Sequence, residues 1–171
     1  IVMKYVGTDL FDYLKRSPTL IDTVLDDLVA QALSVLAYLA SKNIYHNDIK
    51  LENFTLENHQ NLYLIDFGHA RVVEQPNARP RWTEAPTEDY APPNVRSHTY
   101  VNVLMHSVGM LLFALYSRGL CLSASDREGS ALEEQLVEYI REAKARHFIR
   151  QCLCGGITIQ DLQKEWTEWK E

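Results

Sequence analysis

The sequence predicts a mainly α-helical domain of the α+β class with one small β-hairpin, and three stretches carry that prediction. From about Leu20 to Ser41 the apolar residues Leu25, Leu28, Val29, Ala32, Leu36, Leu39 and Ala40 recur at three- and four-residue steps, the stripe of a helix packed on a core. Val101 to Tyr116 is apolar nearly all round, as a helix through the middle of a domain must be. Between them, Phe54 to Glu57 and Leu62 to Ile65 are short strand candidates joined by the polar Asn58-His59-Gln60-Asn61, which reads as a hairpin.

The remaining elements follow in chain order. The opening Ile1-Val-Met-Lys-Tyr-Val is strand-like, and with no initiator Met ahead of it is expected to lie inside a larger protein. Asp9 to Arg16 predicts a short helix, which the turn chemistry of Ser17-Pro18-Thr19 separates from the long one. Asn43 sits where the long helix should stop. Pro76, Pro80, Pro86, Pro92 and Pro93, five of the six prolines, fall between Ala70 and Pro93, so a long surface loop is expected there. Leu132 to Leu153 and Thr158 to Trp169 complete the chain as two helix candidates separated by Gly155-Gly156.

With 171 residues, 46% of them hydrophobic and 23% charged, the chain suits one domain with a substantial core. A net charge of -6 offers no basic face to nucleic acid or to an anionic membrane, so neither is expected as a partner. Cys121, Cys152 and Cys154 form an odd set without a C-x-x-C pair, which argues against a disulfide framework or a zinc site and for a reducing intracellular setting, cytoplasm or nucleus. No apolar run is read as approaching the roughly eighteen residues of a membrane span, and a soluble protein is expected. His59, His69, His98, His106 and His147 are scattered and read as surface or packing residues, and Trp82, Trp166 and Trp169 as packing residues. The acidic pairs Asp26-Asp27 and Glu133-Glu134 read as solvated helix faces.

Two segments carry chemistry. Residues 45 to 53 read Tyr-His-Asn-Asp-Ile-Lys-Leu-Glu-Asn, and residues 65 to 70 read Ile-Asp-Phe-Gly-His-Ala, directly after the hairpin. The first resembles the protein-kinase catalytic loop H-R-D-L-K-P-E-N, with Asn47, Ile49 and Leu51 in place of Arg, Leu and Pro; the second is an intact D-F-G. His46, Asp48, Lys50, Asn53, Asp66, Phe67 and Gly68 match in register, each with a chance on the order of one in twenty, so coincidence is excluded. The chain resembles a eukaryotic-type protein kinase of the serine/threonine kind, with a divergence similar to that of kinases of large DNA viruses.

The resemblance implies the roles. Asp48 orients the attacking hydroxyl and accepts its proton, and Lys50 reaches the transferring phosphoryl group. Asn53 and Asp66 supply hard oxygen ligands for Mg2+, and the donor is ATP. Upstream, Ile1-Val-Met-Lys-Tyr-Val-Gly-Thr-Asp-Leu-Phe resembles the last N-lobe strand, the hinge and the helix after it. Met3 would then be the gatekeeper, the backbone of Lys4 and Val6 would bond adenine, Asp9 would lie near the ribose, and Thr55 would floor the base pocket where a leucine is usual. Downstream, Thr87-Glu-Asp-Tyr-Ala-Pro-Pro-Asn-Val resembles the T-P-E-Y-L-A-P-E-V end of an activation segment, with Thr87 and Tyr90 matching. Residues 1–171 would thus be the C-lobe portion of a kinase domain, from hinge to last helices, with the N-lobe not in this chain. The expected partner is a protein substrate with a Ser/Thr hydroxyl.

Several positions depart from the pattern. Asn47 replaces the arginine that grips an activation-segment phosphate. Asn94 and Gly156 stand at the two ends of a buried ion pair, whose joint loss can be nearly neutral. Leu104 replaces an aspartate that tethers the catalytic loop. Two other readings share part of the pattern: a catalytically inactive kinase-like lobe that binds a partner kinase, and a small-molecule kinase such as an aminoglycoside or choline kinase. Asp48, Lys50, Asn53 and Asp66 together argue against the first, and Lys50 with Tyr90-Ala-Pro-Pro against the second.

Overall fold

The computed structural model describes residues 7–16, 18–80 and 86–170, so Met3, Lys4, Val6 and Trp82 lie outside the described residues. Helix α1 (Leu10–Arg16) buries Leu10, Tyr13 and Leu14. Its N-terminus is capped by Asp9, whose Oδ1 accepts from the Asp12 N–H at 2.9 Å. Helix α2 (Pro18–Ser41) begins at the proline, slightly earlier than the periodicity places it, because a proline is tolerated in a first turn where its N–H has no partner to miss. Asn43 ends the run at φ 55, in the left-handed region that asparagine tolerates.

The hairpin pairs β3 (Phe54–Glu57) with β4 (Asn61–Leu64), Phe54 opposite Leu64 and Glu57 opposite Asn61, so its second strand starts one residue before Leu62. Asn58 and His59 both have positive φ, and the Gln60 N–H returns to the Glu57 carbonyl at 3.2 Å, the turn geometry whose twist matches that of the strands. A third strand, β1 (Thr8–Asp9), adds on the other side of β3, giving the order β1-β3-β4. Gly7 permits this approach: at φ 96, a Cβ there would lie 2.1 Å from the Leu56 carbonyl oxygen. Gln31 of α2 clamps the hairpin, donating to the Gln60 carbonyl at 2.8 Å and accepting from the Leu62 N–H at 3.0 Å. A separate two-stranded ribbon joins β2 (Ile44–Tyr45) to β5 (Arg71–Val72).

Helix α3 (Tyr100–Tyr116) is buried without a break from Val103 to Leu115, as its all-round apolar character requires. It packs on α5 (Ala143–Cys154), while α2 packs on α6 (Ile159–Lys170). Trp166 of α6 is fully buried, with its ring centroid 5.4 Å from that of Phe148 and 5.1 Å from that of Trp169.

Several expectations change. The single helix expected over Leu132 to Leu153 is two, α4 (Gly129–Tyr139) and α5. The apolar stripe runs Leu132, Leu136, Ile140 and then skips to Ala145, a five-residue step that swings a helix face by about 140°. The chain therefore breaks at Ile140, and the Arg146 Nη1 takes up the freed carbonyls of Ile140 at 2.7 Å and Arg141 at 3.1 Å.

Val24–Ser41 does reach eighteen residues at a mean hydropathy of 1.4, and its apolar side is the buried stripe Leu28, Val29, Ala32, Leu33, Leu36 and Ala37. Of the acidic pairs, Asp26, Asp27 and Glu134 are exposed as expected, and partners also occur on these faces: Asp26 accepts from the Tyr116 hydroxyl at 2.8 Å and Glu133 makes a two-pronged pair with Arg150. The proline-rich loop is not all surface either: Pro86, Tyr90, Ala91 and Pro92 are buried.

Candidate active site

Asp48 is 6% exposed and receives donors on both carboxylate oxygens. Its Oδ2 accepts from the Asn53 amide at 2.9 Å and pairs with the Lys50 ammonium at 2.8 Å. Its Oδ1 accepts from the Thr87 hydroxyl at 2.6 Å and, more weakly, from the Thr87 N–H at 3.4 Å. Lys50 also donates to the Thr87 hydroxyl at 3.0 Å, which closes a ring of Asp48, Lys50 and Thr87. Burial pushes the Asp48 carboxyl up, but the hydrogen bonds from Lys50, Thr87 and Asn53 and the Lys50 charge outweigh it and hold the pKa at about 2. The group is a fixed carboxylate at neutral pH.

Local backbone chemistry sets this geometry. Asn47 turns the chain at φ 65, and its buried amide donates to the Tyr45 carbonyl at 3.1 Å and the His69 carbonyl at 3.0 Å. In place of a charged arginine, a neutral amide thus links the loop to the residue after Asp66-Phe67-Gly68. Asn53 closes a one-turn 3-10 helix over Leu51–Asn53, and its amide donates to both the Asp48 carbonyl, at 2.7 Å, and the Asp48 carboxylate. Both partners are acceptors, so the NH2 must face them, which leaves Oδ1 as the free hard oxygen of the amide.

Backbone bonds tie the residue before Asp66 to this loop. The Ile65 N–H donates to the Asn53 carbonyl at 2.9 Å, and the His46 ring lies 2.9 Å from the Ile65 carbonyl through its Nε2. The ring of Phe67 meets that of His46 edge-on at 4.9 Å. Asp66 itself is exposed and left-handed, φ 60, with Oδ1 accepting from the Gly68 N–H at 3.2 Å. Among the described residues no three His, Cys, Asp or Glu side chains converge on a ready-made cation site. One amide oxygen and one exposed carboxylate suit a small hard cation that keeps water and phosphate oxygens as its other ligands.

The structure therefore brings together Asp48, Lys50 and Asn53, and Asp66 follows directly on Ile65, whose N–H is bonded to the Asn53 carbonyl, with its own carboxylate on the Gly68 N–H. Thr55 is buried on β3 opposite Asp9 and Tyr63, with its hydroxyl unpartnered. Lys4 and Val6 lie outside the described residues. Thr87 was legible in the sequence as a motif match but without a contact, and the structure gives it one, on Asp48. Asn94 and Gly156 are both exposed, so the loss of the ion pair leaves no buried charge, and Leu104 is buried in the apolar core.

Geometry and comparison agree on the class. The protein kinase domain family matches residues 1–163, and the chain belongs to that family. Among curated relatives, it is 32% identical to serine/threonine-protein kinase 1 of Heliothis zea nuclear polyhedrosis virus over 67% of this chain and 42% of that protein. It is 30% identical to the calcium/calmodulin-dependent protein kinase cmkB of Emericella nidulans over 94% of this chain and 45% of that protein. It is 35% identical to the cAMP-dependent protein kinase catalytic subunit of Arthrobotrys oligospora over 67% of this chain and 22% of that protein. The chain thus spans less than half the length of these relatives.

Proposed function

We propose that this chain supplies the catalytic loop and metal-binding residues of a protein kinase that transfers the γ-phosphoryl group of ATP to serine and threonine hydroxyls of proteins. The observation that carries the reading is the ring of Asp48, Lys50 and Thr87, closed at 2.6, 2.8 and 3.0 Å. A hydroxyl already sits on the carboxylate as an acceptor alcohol would, with an ammonium beside it to meet phosphoryl charge. In the reaction, the alcohol oxygen bonds to the γ-phosphorus, the bridging Pβ–O–Pγ bond breaks, and the alcohol proton passes to Asp48. A carboxylate held near pKa 2 is a weak base, so its work is to orient the hydroxyl and take the proton late, as the new bond forms.

In this reading Asn53 Oδ1 and the Asp66 carboxylate hold Mg2+, which neutralises charge on the phosphates when bound. Asp9, whose Oδ1 is spent on the α1 cap, has Oδ2 for the ribose; Thr55 floors the base, and the backbone of Lys4 and Val6 bonds it. Three free cysteines accord with an intracellular setting. The test is incubation of the intact protein with ATP, Mg2+ and a mixed protein acceptor, followed by analysis of the phosphorylated amino acids. Phosphoserine and phosphothreonine, lost on chelation, are expected. Phosphotyrosine alone would contradict the acceptor class, and an absence of transfer would favour a binding lobe without catalysis.

A further inference from the structure

Arg127 lies between α3 and α4, in the residue that follows the one-turn 3-10 helix Ala124–Asp126, and is 7% exposed. A guanidinium has five N–H groups, and here they make five hydrogen bonds, all to carbonyls. Nε and Nη2 donate to Leu122 at 3.2 and 3.1 Å. Nη1 donates to Ala91 at 2.7 Å and more weakly to Glu88 at 3.4 Å, and Nη2 donates to Asp89 at 3.1 Å. Among the described residues no carboxylate forms an ion pair with it; backbone carbonyls take its N–H groups, and the charges of Asp89 and Glu88 act on it from further away.

The carbonyl that Arg127 skips is held by others: Tyr90 accepts from the Ser107 hydroxyl at 3.0 Å and lies 3.3 Å from His106 Nδ1, both on α3. Four consecutive carbonyls, 88 to 91, are thus caught by side chains from outside the segment. The turn they belong to is closed from within, the Tyr90 and Ala91 N–H groups both reaching the Thr87 carbonyl at 3.0 Å. Thr87 opens that turn, and its hydroxyl lies on Asp48.

We propose that Arg127 is a positioning residue for phosphoryl transfer: it clamps the 88–91 turn and so fixes Thr87 against Asp48 and Lys50. The proposal rests on the kinase reading for its catalytic consequence but not for its structural one. No other cation does the same work at this place, because a lysine brings three donors from one point and cannot span carbonyls on two separate segments. A displaced Thr87 leaves Asp48 and Lys50 free to shift, and misplacement by about 1 Å can cost on the order of 100-fold in rate.

The test compares wild-type intact protein with Arg127→Lys and Arg127→Gln, the first preserving charge in case the second folds poorly. Peptide-level hydrogen exchange should rise over residues 87–91 in both variants while α2, α3 and α5 stay protected. In the transfer assay, kcat should fall about 10- to 100-fold with the KM for ATP within about twofold. Adding Arg127→Lys to Thr87→Val should cost little more than Thr87→Val alone, because the clamp acts through Thr87. Unchanged exchange over 87–91, or full additivity of the two substitutions, would overturn the proposal. If the wild-type protein transfers no phosphate, the kinase reading fails while the exchange result still decides the clamp.

Discussion

At Asp48 and around Tyr90 the buried acceptors are met by charged and neutral donors together, Lys50 with Thr87 and Asn53 at the first and Arg127 with Ser107 and His106 at the second, and the buried histidine among them has a measurable pH behaviour. His106 is 7% exposed and sits with Nδ1 against the Tyr90 carbonyl. Burial lowers its pKa to about 4; the Tyr90 hydrogen bond works against this, and the nearby Arg127 and His98 add to it. Because the folded value lies below the unfolded value of about 6.5, the unfolded chain binds the extra proton in the interval between them. The stability tied to His106 is therefore complete above that interval and drains away as the pH falls through it toward 4. The urea midpoint of the intact protein should fall between pH 7 and pH 5, and His106→Asn should flatten that slope. His46, also lowered by burial, leaves part of the slope in the variant. An identical slope in both proteins would show that His106 is not the group responsible.

Among the helices, the contact of α3 with α5 leaves no room for a side chain at Gly109. At Gly109 a Cβ would approach the Leu153 side chain to 2.8 Å and the Cys152 Cβ to 3.0 Å, closer than packed carbons tolerate. Alanine would gain about 1 kcal/mol of helix propensity and lose about 1–3 kcal/mol to overpacking. Gly109→Ala is expected to lower the denaturant midpoint despite the better helix former, and a raised midpoint would mean that the helices can separate at little cost. The same scale shows what the sequence makes legible. The α3 run, the hairpin and the stop at Asn43 follow from local pattern and turn chemistry, which need no partner to be read. The break at Ile140 has no glycine or proline, and its signal is only the phase slip between Ile140 and Ala145. Pro86, Tyr90, Ala91 and Pro92 are buried in a stretch whose 88–91 carbonyls are held by Arg127, Ser107 and His106, residues distant in sequence, and no local pattern announces it.

For the molecule as a whole, the arrangement of layers serves the loop they carry. Helix α3 holds the Tyr90 carbonyl of the 86–92 segment through Ser107 and His106, Asn53 stands directly before the central strand of the β1-β3-β4 sheet, and the hairpin returns Ile65 to the Asn53 carbonyl. The candidate site residues were readable because the chemistry proposed for them demands particular residue types at fixed spacing. Their support was not, because many side chains can catch a carbonyl. The central claim is that Asp48, held by Lys50, Thr87 and Asn53, orients the attacking hydroxyl. Its most direct test is the rate of phosphoryl transfer from ATP by the intact protein carrying Asp48→Asn, which keeps the shape and removes the charge. A loss of about 100-fold or more in a variant that still unfolds cooperatively, at a somewhat lower temperature because the Lys50 pair is gone, is the predicted result; transfer at the wild-type rate would contradict it.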